Sequence, residues 1–79
     1  MPDARTTFRY RTNRKAKIFL DSGEVIACRV RDVSPGGAGL EVDEPLLPAR
    51  FTISIEGTGS KRRCRLAWQK GDLLGVEFI

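Results

Sequence analysis

From Ala16 onward the chain runs as short segments in which apolar residues alternate with polar ones at a period of two, and Gly, Pro, Asp and Ser fill the gaps. That period marks half-buried β-strands, because successive strand side chains point to opposite faces. The segments are AKIFL at 16–20, VIACRV at 25–30, AGLEV at 38–42, FTISIEG at 51–57, RCRLAW at 63–68 and LLGVEFI at 73–79. Each has an apolar face, such as Ile26, Cys28 and Val30 in the second or Phe51, Ile53 and Ile55 in the fourth. In the fifth, alternation assigns Cys64, Leu66 and Trp68 to the apolar face, opposite Arg63, Arg65 and Ala67. Asp21-Ser22-Gly23 reads as a hairpin turn, and Pro45 and Pro48 mark a connection, since proline cannot donate to a strand ladder. No window repeats apolar residues at helical spacing over a helical length. The predicted class is all-β. Six antiparallel strands in so short a chain bury their apolar faces best by closing into a small barrel, which also removes exposed edges. No helix is predicted after the last strand.

Composition narrows the function classes. At 79 residues this is one small domain, which buries only roughly 60% of its unfolded surface and leaves little room for a deep cleft. Hydrophobic residues make up 41% and charged residues 30%, and no apolar run approaches the roughly 20 residues of a membrane span. MPDARTTFRYRTNRKAK has no apolar stretch behind its charges, so it does not read as a secretory signal, and the expected location is the cytoplasm. Cys28 and Cys64 lie in separate strand segments with no CxxC pair and no histidine in the chain, which favours two buried thiols over a zinc site or a disulfide. The lack of histidine also removes the commonest general base and leaves no catalytic constellation. The sequence reads as a non-enzyme, with no metal and no cofactor.

Charge is unevenly distributed. Residues 1–17 hold Arg5, Arg9, Arg11, Arg14, Lys15 and Lys17 against Asp3 alone, a local +5, whereas residues 18–79 hold eight basic and nine acidic groups, a local −1. The predicted organisation is therefore a flexible basic arm over residues 1–13 and a barrel over 14–79. Such an arm is either a solvated tail or an anion-binding element, and its richness in arginine suits the second, because a guanidinium pairs bidentately with phosphate and stacks on bases.

Between the second and third segments lies RDVSPGGAGLEV, residues 31–42. Asp32 and Ser34 stand two residues apart and share one side of an extended backbone. A carboxylate only accepts hydrogen bonds and matches paired N–H donors such as N1 and N2 of guanine; a serine hydroxyl donates to a phosphate oxygen; Gly37 leaves the backbone open to close approach. The plainer reading is a turn in which Asp32 or Ser34 bonds its own backbone and the glycines supply positive φ.

Upstream, Arg5-Thr6-Thr7-Phe8-Arg9 forms an RxxxR element, with 22 residues between Arg9 and Asp32. RxxxR followed after one hairpin by (D/N)xSxxG resembles the PilZ domain, the bacterial receptor module for cyclic di-GMP. The resemblance extends to CRLAWQKGDLLGVEF, which is similar to the family's last two strands, and so covers nearly the whole chain. It implies a β-barrel that binds the dinucleotide near the loop between the second and third strands, with the arginine arm folding over it. By position, Arg5 and Arg9 would engage guanine and phosphate, and Asp32, Ser34 and Gly37 would form the second motif. Arg11 and Arg14, outside the motif, are candidates for added phosphate contacts. The implied function is a nucleotide-binding switch in second-messenger signalling, whose arm changes conformation on binding and signals to a protein partner or neighbouring domain. The alternatives are a single-stranded nucleic-acid binder, using Phe8, Tyr10 and Phe19 as stacking platforms and Lys61-Arg62-Arg63 as a basic patch, and a ligand-independent adaptor.

Overall fold

The computed structural model describes residues 10–43 and 47–79, and for residues 10 and 11 the backbone. The expected arginines Arg5 and Arg9 lie outside the described residues. Six strands follow in chain order: β1 (Tyr10–Phe19), β2 (Val25–Ser34), β3 (Gly37–Glu41), β4 (Arg50–Ile55), β5 (Lys61–Lys70) and β6 (Leu73–Phe78). Every pairing is antiparallel, and the order β1-β2-β3-β6-β5-β4 closes on itself through β4 against β1. The all-β, six-stranded antiparallel barrel expected from the alternation is the observed architecture.

The strands run longer than the alternation showed. β1 begins at Tyr10, so residues 10–13, expected in the arm, belong to the barrel. β2 continues to Ser34, which puts Asp32 and Ser34 on a strand rather than in a loop. Turns follow local chemistry. Between β5 and β6, Gly71 takes a φ of 63°, the left-handed value that the first position of a type II′ turn requires. Between β2 and β3, Pro35 fixes a negative φ and so excludes the primed turns.

The core is the inward face of all six strands: Phe51, Ile53, Ile18, Val30, Leu40, Leu74 and Cys64 are almost wholly removed from water. Ala16, Ala38 and Val76 fill the space between them, and no polar or charged residue is buried among the described residues. Both cysteines are free and buried. Their thiols are pushed up to about 11, chiefly by loss of water around the charged form, as expected for packed hydrophobes.

Candidate ligand-binding face

Strict alternation along β2 would send Asp32 and Ser34 inward with Val30. A β-bulge between Val30 and Asp32 prevents this. Arg31 is the extra residue, exposed and tied to Glu41 by a 2.9 Å ion pair. Beyond it Val33 packs against the core opposite Ala38, and Asp32 and Ser34 turn to the outer face. A second bulge, between Leu66 and Trp68, does the same on β5: Leu66 packs on the core and Trp68 is 52% exposed. The alternation had assigned Trp68 to the apolar face; the inserted Ala67 reverses it. A third irregularity lies on β1 between Arg11 and Arg14. All three interrupt the ladder around one patch, a common use of bulges, which re-aim side chains at sites.

The register aligns the re-aimed residues. Arg11 pairs with Asp32, Asp32 with Gly39, Gly39 with Gly75, and Gly75 with Trp68, a single row across β1, β2, β3, β6 and β5. The neighbouring outer row runs Ser34, Gly37, Glu77, Arg65, Arg50. Arg65 and Glu77 form a 2.5 Å ion pair within it. The Asp32 carboxylate lies over Gly39, with both oxygens 3.0 Å from where a Cβ on that glycine would stand. The Trp68 indole covers Gly75 in the same way, its Cε2 2.7 Å from the corresponding position and Nε1 closer still.

The glycines do not serve as the turn reading supposes. None of Gly36, Gly37, Gly39 or Gly75 has a positive φ. A Cβ on Gly37 would run into the backbone carbonyl of Val76 on β6, so this residue is a glycine because a strand crosses it. The ligand access expected from its missing side chain therefore has a competing structural cause. Gly36 is different, since a Cβ there would meet nothing within 4 Å. Its carbonyl accepts a 2.9 Å hydrogen bond from Phe78 N–H, which ties the hairpin tip to the end of β6. Ser34 donates from Oγ to the Gly37 carbonyl at 3.4 Å, a long bond that leaves the hydroxyl at the tip.

Of the residues expected at the site, the fold brings Asp32, Ser34 and Gly37 together and sets the Arg11 backbone beside Asp32. Arg14 goes elsewhere: its Nη1 approaches Gly57, in the turn between β4 and β5. Tyr10 pairs with Val33, between Asp32 and Ser34, so Arg9 precedes in the chain a residue that flanks the patch. Trp68 is the member of the patch that sequence reasoning missed: it stood in the stretch similar to the family's last two strands, but alternation assigned it to the apolar face, and bulges can reset alternation.

Other charged features lie off this face. A groove of about 840 Å³ on the outside of β1, β2 and β4 mixes Lys15, Lys17 and Arg29 with Glu41, Asp43, Glu56 and Asp72, a set without a strongly dominant sign. Asp21 accepts two hydrogen bonds from Arg63, at 2.8 and 3.1 Å, which lower its carboxyl and raise the guanidinium. Arg62 lies over the Phe78 ring and Lys61 over Phe19, each 4.3 Å from the centroid, so these cations rest on aromatic faces. Among the described residues no His, Cys, Asp and Glu group has the makings of a metal site. No described helix is long and apolar enough to cross a membrane.

A closed six-stranded antiparallel barrel with a bulge-exposed acid, serine and tryptophan on one outer face defines the class to which this chain is compared. The PilZ domain family model matches residues 3–79, and the chain belongs to that family. Among solved structures, it is similar to the PilZ domain with c-di-GMP of YcgR from Escherichia coli, with a TM-score of 0.68 and 19% identity over 98% of this chain and 79% of that one. At that identity the likeness is one of fold. No curated protein matches.

Proposed function

We propose that this domain is a receptor for cyclic di-GMP and that the outer face carrying Asp32, Ser34 and Trp68 is where the ligand sits. The observation that carries the reading is that three ladder irregularities lie around this one patch, two of which turn out an acceptor, a donor and an aromatic platform beside the strand that follows the RxxxR arm. Family membership supports the choice of ligand, as does the ligand named for the similar YcgR domain. The chemistry fits a guanine dinucleotide. The Asp32 carboxylate accepts from N1–H and N2–H of a base, a combination adenine does not offer. Trp68 presents an exposed ring on which a base stacks, an interaction worth about 1–3 kcal/mol. Ser34 donates to a phosphate oxygen, and Gly36 leaves open backbone next to it.

Arg5 and Arg9 complete the site in this reading, gripping guanine O6 and N7 or phosphate, while Arg11 adds charge at the strand start. Gly37 serves through its backbone and the turn it shapes. Ordering a basic arm on a ligand converts binding into a change of shape, and a protein partner or neighbouring domain senses it. The domain works by binding and carries out no reaction, in the bacterial cytoplasm where the messenger acts.

Isothermal titration with cyclic di-GMP tests the reading. The expected result is saturable binding that Arg9→Ala weakens by about 1–3 kcal/mol, the scale of one bidentate arginine–guanine contact. Absence of binding by the parent overturns it and leaves an adaptor barrel. One observation favours a second reading: exposed Trp68 neighbours a row ending in Arg65 and Arg50, an aromatic beside cations as in single-stranded nucleic-acid binders. That alternative predicts affinity for oligonucleotides that falls steeply with salt.

A further inference from the structure

Two glycines outside the RxxxR and (D/N)xSxxG motifs occupy the middle of the outer row. Gly39 and Gly75 are cross-strand partners on β3 and β6, flanked by Asp32 on one side and Trp68 on the other. Neither has the positive φ that would require glycine for its backbone. What each meets instead is a side chain of the patch: at Gly39 the three nearest atoms to a Cβ are Oδ1, Oδ2 and Cγ of Asp32, and at Gly75 they are Nε1, Cε2 and Cδ1 of Trp68. The missing side chains thus make two adjacent berths, one filled by a carboxylate and the other by an indole.

We infer that Gly39 and Gly75 are positioning residues, which lay Asp32 and Trp68 down on the sheet so that a carboxylate and an aromatic face lie side by side for one purine. The inference rests on the receptor reading for its ligand and on the barrel geometry for its placement. Neighbouring strands in a sheet are about 4.8 Å apart, so the two berths sit within the width of a single base. A side chain at 39 makes the carboxylate give by a few tenths of an ångström, and one at 75 evicts the indole. Both displacements act on side chains that are not buried rather than on backbone, so the barrel tolerates them. In this they differ from Gly37, where the obstacle is the β6 main chain.

The test uses Gly39→Ala and Gly75→Ala in the full chain, each also combined with removal of the side chain it acts through. Trp68 is the only tryptophan, so its emission reports the Gly75 berth without any ligand. Gly75→Ala is expected to shift that emission to the red as the indole leaves the sheet, with the cooperative thermal transition retained. In cyclic di-GMP titrations each variant is expected to bind about tenfold more weakly, the scale of losing one hydrogen bond to a charged group or one stacked base. Gly39→Ala should also narrow the preference for cyclic di-GMP over cyclic di-AMP. In the Asp32→Ala background Gly39→Ala should cost nothing further, and likewise Gly75→Ala in the Trp68→Ala background, because paired changes on one contact do not add. Full additivity in both cycles overturns the inference, as does unchanged emission in Gly75→Ala. If the parent fails to bind cyclic di-GMP, the receptor reading falls, while the emission measurement still decides whether Gly75 seats Trp68.

Discussion

Gly37→Ala is the substitution most easily misread, because a motif glycine whose loss abolishes binding invites the conclusion that ligand touches it. The structure predicts a different first effect. The new Cβ would stand 3.3 Å from the Val76 carbonyl carbon, 3.4 Å from Glu77 Cα and much nearer the Val76 oxygen, all main-chain atoms that no rotamer change moves. β3 and β6 must separate where Phe78 N–H bonds the Gly36 carbonyl and the barrel closes. Overpacking of this kind costs about 1–3 kcal/mol, and one weakened ladder bond adds about 1 kcal/mol. Reduced freedom of the unfolded chain returns about 0.4–1 kcal/mol, since φ at 37 is not positive. The net is about 1–3 kcal/mol, or a fall in Tm of roughly 5–20 °C for a domain of this size. Thermal melts followed by circular dichroism measure it, with Gly36→Ala as the matched control whose Cβ meets open space. The control is expected at or above the parent Tm. If Gly37→Ala melts with the control, contact with β6 is not the reason for the glycine, and the account of this position fails.

Other consequences are equally direct. Phe51→Ala removes a ring with no exposure at the centre of the core, and a loss of about 3–5 kcal/mol in urea denaturation is expected; a loss below 1 kcal/mol would contradict the assigned core. Cys28 and Cys64 should resist a thiol reagent at neutral pH until denaturant is added, and rapid native-state labelling of both would contradict their burial. Because their folded values lie near 11, above the ordinary 9.0, their contribution to stability is whole below pH 9 and is lost as pH rises towards 11; in Cys28→Ala/Cys64→Ala that part of the alkaline slope should vanish. Asp21 runs the other way: Arg63 holds its carboxyl below 3.8, so its contribution is present above that value and lost as pH falls through the lowered one. Carboxyl titration by NMR should show the midpoint rising in Arg63→Ala, and an unmoved midpoint would rule out the ion pair in solution.

The barrel was legible because period-two alternation is a property of the backbone, and each inward face follows from it without knowledge of neighbours. Core members such as Phe51, Ile53, Leu74 and Val76 stand where that period sets them. The patch was legible only in part, for the same reason. Asp32 and Ser34 were known to share a side, but which side depends on Arg31 being squeezed out of the ladder, and that is settled by pairing with β3. Trp68 was lost to the inward face because Ala67 looks like any other strand residue until β6 is laid beside it. Gly39 and Gly75 stood inside stretches the sequence singled out, but what each seats was not legible, since Asp32 and Trp68 are adjacent to them only across strands. Bulges and cross-strand contacts are tertiary facts, and around this site they outweigh the local pattern.

The central claim is that one outer face, defined by Asp32, Ser34, Gly39, Gly75 and Trp68, receives a cyclic guanine dinucleotide. A ¹⁵N-resolved NMR titration of the domain with cyclic di-GMP tests it most directly, because it reports ligand and face together. The account predicts saturable shifts in the amides of residues 32–34, 36–39 and 75 and in the Trp68 indole N–H, with the Lys15, Arg29 and Glu56 groove unmoved. Shifts confined to that groove, or none anywhere at saturating ligand, would contradict it.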